Sequence, residues 1–328
     1  MAFSIRLDEI ALSAQLASCL EVSATPKPGN IHRLRDFPET TYEQFLAGSI
    51  SIGNEVRRVA RRAMLAGKGR IKLSEIEIGL SLLRAVRDVK RWQSGGNTHL
   101  GTLLLFLPLA CGAGVLIGMK KREINVRELR LAVDDCVKAT TSKDTFYAYK
   151  AILESGMSGL CDLKEISVSK KGLEEVKRKD ITLYDTMSIS SKWDGIAREW
   201  VTKFNLSFEF GYKSFMSLVK EYDVNLATVH TFLLILANNP DTFIARKVGE
   251  RANIRNVEEA VNFGMKEARR VAKLAKEALD LGGLKTKEGR EKIKLIDDEL
   301  YSKRLNPGTT ADITACSIMI SLLTGFKP

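Results

Sequence analysis

The chain has 328 residues, 45% of them hydrophobic, and a formal net charge of +11 from 51 Lys and Arg against 40 Asp and Glu. That length and apolar content support a sizeable core and exclude a disordered or disulfide-stapled miniprotein. The positive field favours anionic partners such as nucleotides, coenzymes or nucleic acid. Five scattered cysteines (Cys19, Cys111, Cys136, Cys161, Cys316) form no CxxC pair. They read as reduced thiols of a cytoplasmic protein rather than a zinc site.

In chain order, the N-terminus carries early acids and no long apolar core, so it does not read as a signal peptide. "IRLDEIALSAQLASCLEV" has apolar residues three and four apart and predicts a first helix, which "TPKPGN" (25–30) must end. A second helix is predicted over "TYEQFLAGSISIGNEVRRVARRAMLAG", closed by Gly67 and Gly69. A third follows in "SEIEIGLSLLRAVRDVKRW", with Ser74 as its N-cap. Leu100 to Met119 is free of charge and long enough to span a bilayer. Pro108, four glycines and its isolation favour a buried core helix instead. Asn125 with Glu128, and Asn256 with Glu259, are spaced as helix-starting capping boxes. The stretch from about 160 to 190 is more polar, with short strands or loops expected around "KEISVSKKG". The expectation is an all-α, single-domain multi-helix bundle over 1–328, with an irregular insert near 160–200.

Polar groups gather where the helical pattern breaks. "GGNTHLG" (95–101) places Asn97 or Thr98 at the start of the apolar helix, where free N–H groups and the positive dipole end can hold an anion. The plainer reading is a capped helix. "NPGTTAD" (306–312) repeats the device with Gly308, Thr309 and Thr310, and adds Asp312 in the first turn. "NNPDTFIARKVGE" (238–250) puts Asp241 in a turn ahead of Arg246, Lys247 and Glu250; Asp241 equally suits a helix N-cap with a solvated basic face behind it. His32 and His99 lie in or beside these stretches, whereas His230 sits in an apolar helix and reads as a satisfied core residue.

Taken in order, Glu21 with "TPKPG", then "NTHLG", "NPDTFIARKVGE" and "NPGTTAD" resemble the motifs of the triphosphoribosyl-dephospho-CoA synthase family. The resemblance implies an all-α fold and transfer of the triphosphoribosyl group of ATP to the 2′-hydroxyl of 3′-dephospho-CoA, with release of adenine. It implies catalytic roles for Asp241, Asp312 and Glu250, and Mg²⁺ with the ATP, held by Asp241 and Asp312. Lys27, Gly29, Arg33, Asn97, Thr98, His99, Arg246, Lys247, Gly308 and Thr309 would bind substrate, with Lys27 presented to a phosphate by the proline loop. The sequence departs from the family at Leu100 (a lysine there), Pro240, Phe243, Lys247 (an arginine there) and Thr309, and the segment with "LYDTM" and "KWDGIAREW" has no clear counterpart. Two alternatives stay open: the same ribosylation of another acceptor, such as a methanopterin-type coenzyme precursor, and a basic helical nucleic-acid binder using Arg57, Arg58, Arg61 and Arg62. Few aromatics interleave that basic stripe, which weighs against stacking on single strands.

Overall fold

The computed structural model describes residues 6–121, 123–156, 175–176 and 178–328. Among these the chain is mostly helical, with no strand; the all-α expectation holds. Helix α1 spans Leu7–Ser23, α2 Tyr42–Ser51, α3 Gly53–Gly67, α4 Ile78–Trp92 and α5 Leu100–Gly118. Then come α6 (Val126–Lys138), α7 (Ser142–Ser155), α8 (Leu183–Ser190), α9 (Gly195–Val201) and α10 (Tyr212–Leu218). The chain closes with α11 (Val224–Asn238), α12 (Thr242–Arg251), α13 (Val257–Asp280), α14 (Lys287–Ser302) and α15 (Gly308–Leu323).

The apolar helix α5 is buried along nearly its whole length, and only its end at Met119 is exposed. It packs against α3, α4, α6 and α15. Close approach to α3 needs glycine on both helices: a Cβ on Gly114 would collide with the Ala60 carbonyl, and one on Gly67 with the Val115 carbonyl. Pro108 has no N–H for the Leu104 carbonyl one turn earlier. The Trp200 indole N–H donates to that carbonyl instead, at 2.9 Å, so the proline leaves no orphan acceptor in the core.

The predicted second helix is divided at Ile52. Gln15 of α1 donates to the Ile50 carbonyl at 2.6 Å, and its side chain fills the space a Cβ on Gly53 would need. Ser74 does not cap α4; it lies in a 3₁₀ turn over Leu73–Glu75, and α4 begins after Glu77, which has left-handed backbone. Asn125 and Asn256 cap their helices, accepting from Glu128 N at 3.4 Å and Glu259 N at 3.0 Å, which is the N-cap half of the expected capping boxes. "KEISVSKKG" lies outside the described residues. The later part of the expected irregular insert is regular: Thr182 caps α8 and Asp194 caps α9.

Two buried apolar clusters result. The larger centres on α1, α3–α7 and α15, the smaller on α11–α14. A cavity of about 210 Å³ opens where they meet, with Leu100, Met187 and Ile196 of the first cluster facing Trp193, Val257 and Val261 of the second.

Candidate active site

The polar wall of this cavity is built from the ends of elements. Asn97, Thr98 and His99 enter α5; Phe243 and Arg246 come from the first turns of α12; Gly308, Thr309 and Asp312 come from the first turns of α15. The N-termini of these helices therefore point toward one space and bias it toward anions. Glu21, Asn30, Asp194 and Asn306 complete the wall.

Arg246 is 5% exposed. Its Nε lies 3.2 Å from Glu250 Oε1 without hydrogen-bond alignment, and among the described residues neither Nε nor Nη2 has a hydrogen-bond partner. The guanidinium rests on the Phe243 ring, 5.2 Å from its centroid. A buried cation with unmet donors on a cavity wall is unfavourable until an anion arrives.

Asp312 accepts from the Thr102 hydroxyl through Oδ1 at 2.5 Å, and among the described residues Oδ2 has no donor. Gly101 makes room for it, since a Cβ there would strike Oδ2. Burial pushes the Asp312 carboxyl up to about 8; the nearby acids Glu21, Asp241 and Asp194 push the same way, against the pull of Thr102. Glu21 also faces the cavity. Its Oε1 is paired with the Lys27 ammonium, and among the described residues its Oε2 has no hydrogen-bond partner. Burial raises the Glu21 carboxyl, with Lys27 pulling back.

Lys27 itself is 0% exposed and does not reach the cavity wall. Its ammonium is held by Glu21 and, at 2.9 Å, by Asn30 Oδ1, and Asn30 in turn donates to Asn306 Oδ1 at 2.9 Å. The proline loop thus braces Glu21 and the entry to α15 from behind. Gly29 sits in that brace with φ 73°, its N–H on Asp297 Oδ1 at 2.9 Å and the Leu305 carbonyl where a Cβ would be. Arg33 is exposed and off the wall.

Asp241 lies behind the wall as the N-cap of α12. Oδ1 accepts from Phe243 N at 2.9 Å and Ile244 N at 3.0 Å; Oδ2 accepts from Thr310 N and Thr310 Oγ1, both at 2.7 Å. All its acceptor directions are filled, so it clamps the start of α12 to the start of α15. Lys247 and Glu250 pair with each other at 2.8 Å, and neither lines the cavity. His99 lies among hydroxyls, 2.6 Å from Thr98 Oγ1 and 3.1 Å from both Ser18 and Ser49 Oγ. Burial lowers it to about 3, so it is a neutral hydrogen-bonding group.

The chain matches the family ATP:dephospho-CoA triphosphoribosyl transferase (CitG) over residues 7–327. It belongs to that family. A crystal structure of a candidate triphosphoribosyl-dephospho-CoA synthase from Archaeoglobus fulgidus resembles it with a TM-score of 0.60 and 25% identity, covering 86% of this chain and 100% of the other. The chain is accordingly a transferase of the triphosphoribosyl-dephospho-CoA synthase type.

The sequence reading singled out neither Trp193–Asp194 nor the wall formed by α7 and α8. Leu183, Met187 and Trp193–Asp194 fall in the segment without a family counterpart, Tyr149 and Ile152 of α7 lie ahead of it, and nothing in their spacing signals a shared site. The basic stripe on α3 is largely neutralised from within. Arg57 pairs with Asp8 at 3.0 Å, Arg58 with Glu55 at 3.2 Å and Arg62 with Glu77 at 3.4 Å, so three of the four arginines have acidic partners, while Arg61 is exposed.

Proposed function

We propose that this transferase moves the triphosphoribosyl group of ATP to an alcohol of a nucleotide-like acceptor, 3′-dephospho-CoA in the first instance, and releases adenine. The observation that carries the reading is the buried Arg246 guanidinium beside the start of α15, whose Nε and Nη2 donors are unmet among the described residues. It supplies the cation that Leu100 withholds, and with the α12 and α15 N-termini it would take the triphosphate.

The reaction breaks the C1′–N9 bond of ATP and forms a bond from C1′ to the acceptor oxygen. The hydroxyl proton is lost from the acceptor and one proton is gained by adenine. An oxocarbenium-like transition state is expected, as in glycosidases. Asp312, protonated at neutral pH and buried, would give its proton to the departing base. Glu21, with Oε2 open to the cavity, would take the acceptor's proton. Lys27 would act through Glu21 as a positioning residue, holding one oxygen and favouring the ionised form.

Mg²⁺ would enter with the triphosphate. Among the described residues no set of three ligating side chains forms a protein-only metal site. That suits an ion held by one or two carboxylates plus phosphate oxygens and water. Asp241 has no open oxygen for this role, and Asp312, as the proton donor to the leaving base, would not also hold the ion.

The test is incubation with ATP, Mg²⁺ and each acceptor, reading free adenine by chromatography and the product by mass spectrometry. Adenine release that depends on an acceptor, without ADP or AMP, is the expected result. No adenine with 3′-dephospho-CoA but release with a methanopterin-type precursor would move the reading to the other acceptor. No release with any acceptor would end it.

A further inference from the structure

The cavity has a second half that the four motif stretches do not build. Tyr149 and Ile152 of α7, Leu183 and Met187 of α8, and Trp193 and Ile196 at the entry to α9 enclose an apolar chamber beside Asp194. A chamber of this kind excludes water from whatever enters it and favours an apolar or aromatic group.

Two features make it more than leftover space. Tyr149 is 4% exposed and Trp193 is 7% exposed. Among the described residues no hydrogen bond joins the Tyr149 hydroxyl or the Trp193 indole N–H to the protein, and neither atom is wholly enclosed, so both reach the open space of the cavity. Buried Tyr and Trp ordinarily satisfy these groups. Elsewhere in this protein Trp200 does so, on the Leu104 carbonyl at 2.9 Å. Burial also pushes the Tyr149 phenol up, so it remains a donor across the working range.

We infer that this chamber binds a planar heteroaromatic ring of one of the two nucleotides, with Tyr149 and Trp193 offering aromatic surface and donors to its ring nitrogens. The inference rests on the transferase reading above and deepens it. The motif residues would hold phosphate and reacting carbon, while α7, α8 and Trp193 select the base. Adenine answers the description from either source, as the leaving group of ATP or as the base of the acceptor. Of the polar groups at the mouth, Thr186 donates to the Leu183 carbonyl and Asp194 Oδ1 caps α9.

The experiment uses two variants with adenine, ATP and 3′-dephospho-CoA as separate titrants in calorimetry, and tripolyphosphate as a probe of the phosphate end. Tyr149→Phe keeps the shape and removes one donor; the ligand using the chamber should bind about two- to tenfold more weakly. Met187→Trp fills the chamber, and the same ligand should lose more than about tenfold, from overpacking at a tightly enclosed site. Tripolyphosphate should bind both variants as it binds the wild type. Circular dichroism and thermal melting check folding, and Tyr149→Phe carries the test if Met187→Trp does not fold. Loss confined to ATP assigns the ring to the leaving base; loss confined to 3′-dephospho-CoA assigns it to the acceptor. Unchanged affinities for all three ring ligands, or no binding of any of them to the wild type, overturns the inference. Adenine binding that responds to the variants without any adenine release from ATP would instead sink the transferase reading and keep the chamber.

Discussion

Arg246→Met separates binding from stability in a way few substitutions allow. Methionine keeps an unbranched stem near the Phe243 ring and removes the guanidinium. In the free protein that charge is costly: Arg246 is 5% exposed and two of its nitrogens lack hydrogen-bond partners. Each unmet buried donor costs about 1–3 kcal/mol. The losses on the other side are one poorly aligned contact with Glu250 at 3.2 Å and the cation–π contact with Phe243, about 0.5–1 kcal/mol, while Glu250 keeps Lys247 at 2.8 Å. The variant should therefore melt at or above the wild-type temperature, by up to a few degrees, since ~1 kcal/mol shifts a large domain by ~2–4 °C. ATP binding should move the other way. Hydrogen bonds to charged groups contribute about 1.5–3 kcal/mol, so the Kd should rise roughly 10- to 150-fold. Calorimetry with MgATP and a thermal-shift measurement read both quantities on one preparation. A melting temperature lowered by several degrees together with unchanged ATP affinity would refute the reasoning and make Arg246 a structural partner of Glu250.

Asp312→Asn should lower adenine release by about 10²–10³. In the wild type the rate should fall as pH rises through about 8, where Asp312 loses its proton, and the variant should lack that limb. Asp241→Asn should act on stability, because the amide cannot accept from both Thr310 groups and the α12 cap; we expect a loss of about 2–4 kcal/mol by urea unfolding. His99, lowered to about 3, stays neutral in the fold while the unfolded chain protonates below about 6.5. Its contribution is thus intact above about pH 6.5 and falls by roughly 2 kcal/mol on reaching pH 5. Asp312 runs oppositely. Its raised carboxyl favours the fold more as pH falls from about 8 toward the unfolded carboxyl value, so Asp312→Asn should unmask the histidine limb. Urea midpoints of Asp312→Asn with and without His99→Gln, compared between pH 7 and pH 5, check the sign; identical slopes would remove His99 from the account.

Helical periodicity, the caps at Asn125 and Asn256 and the buried character of α5 were legible in the residues themselves, because each depends on neighbours within a turn or two. So was the collection of Arg246, Gly308, Thr309 and Asp312 into one family pattern, since all stand at helix starts where the backbone chemistry is local. The break at Ile52 was not, because it depends on Gln15 reaching across from α1. Lys27 reads in sequence as a presented cation; only the packing of α1 against the proline loop turns it inward onto Glu21. Asp241 and Asp312 look alike as acids in turn-rich segments. The tertiary contact with Thr310 saturates the first, and burial among other carboxylates leaves the second protonated. The chamber of Tyr149, Met187 and Trp193 belongs wholly to the tertiary structure. Sequence encodes short-range propensity residue by residue, whereas solvation, and with it the charge and reactivity of a side chain, is fixed by what distant helices bring against it.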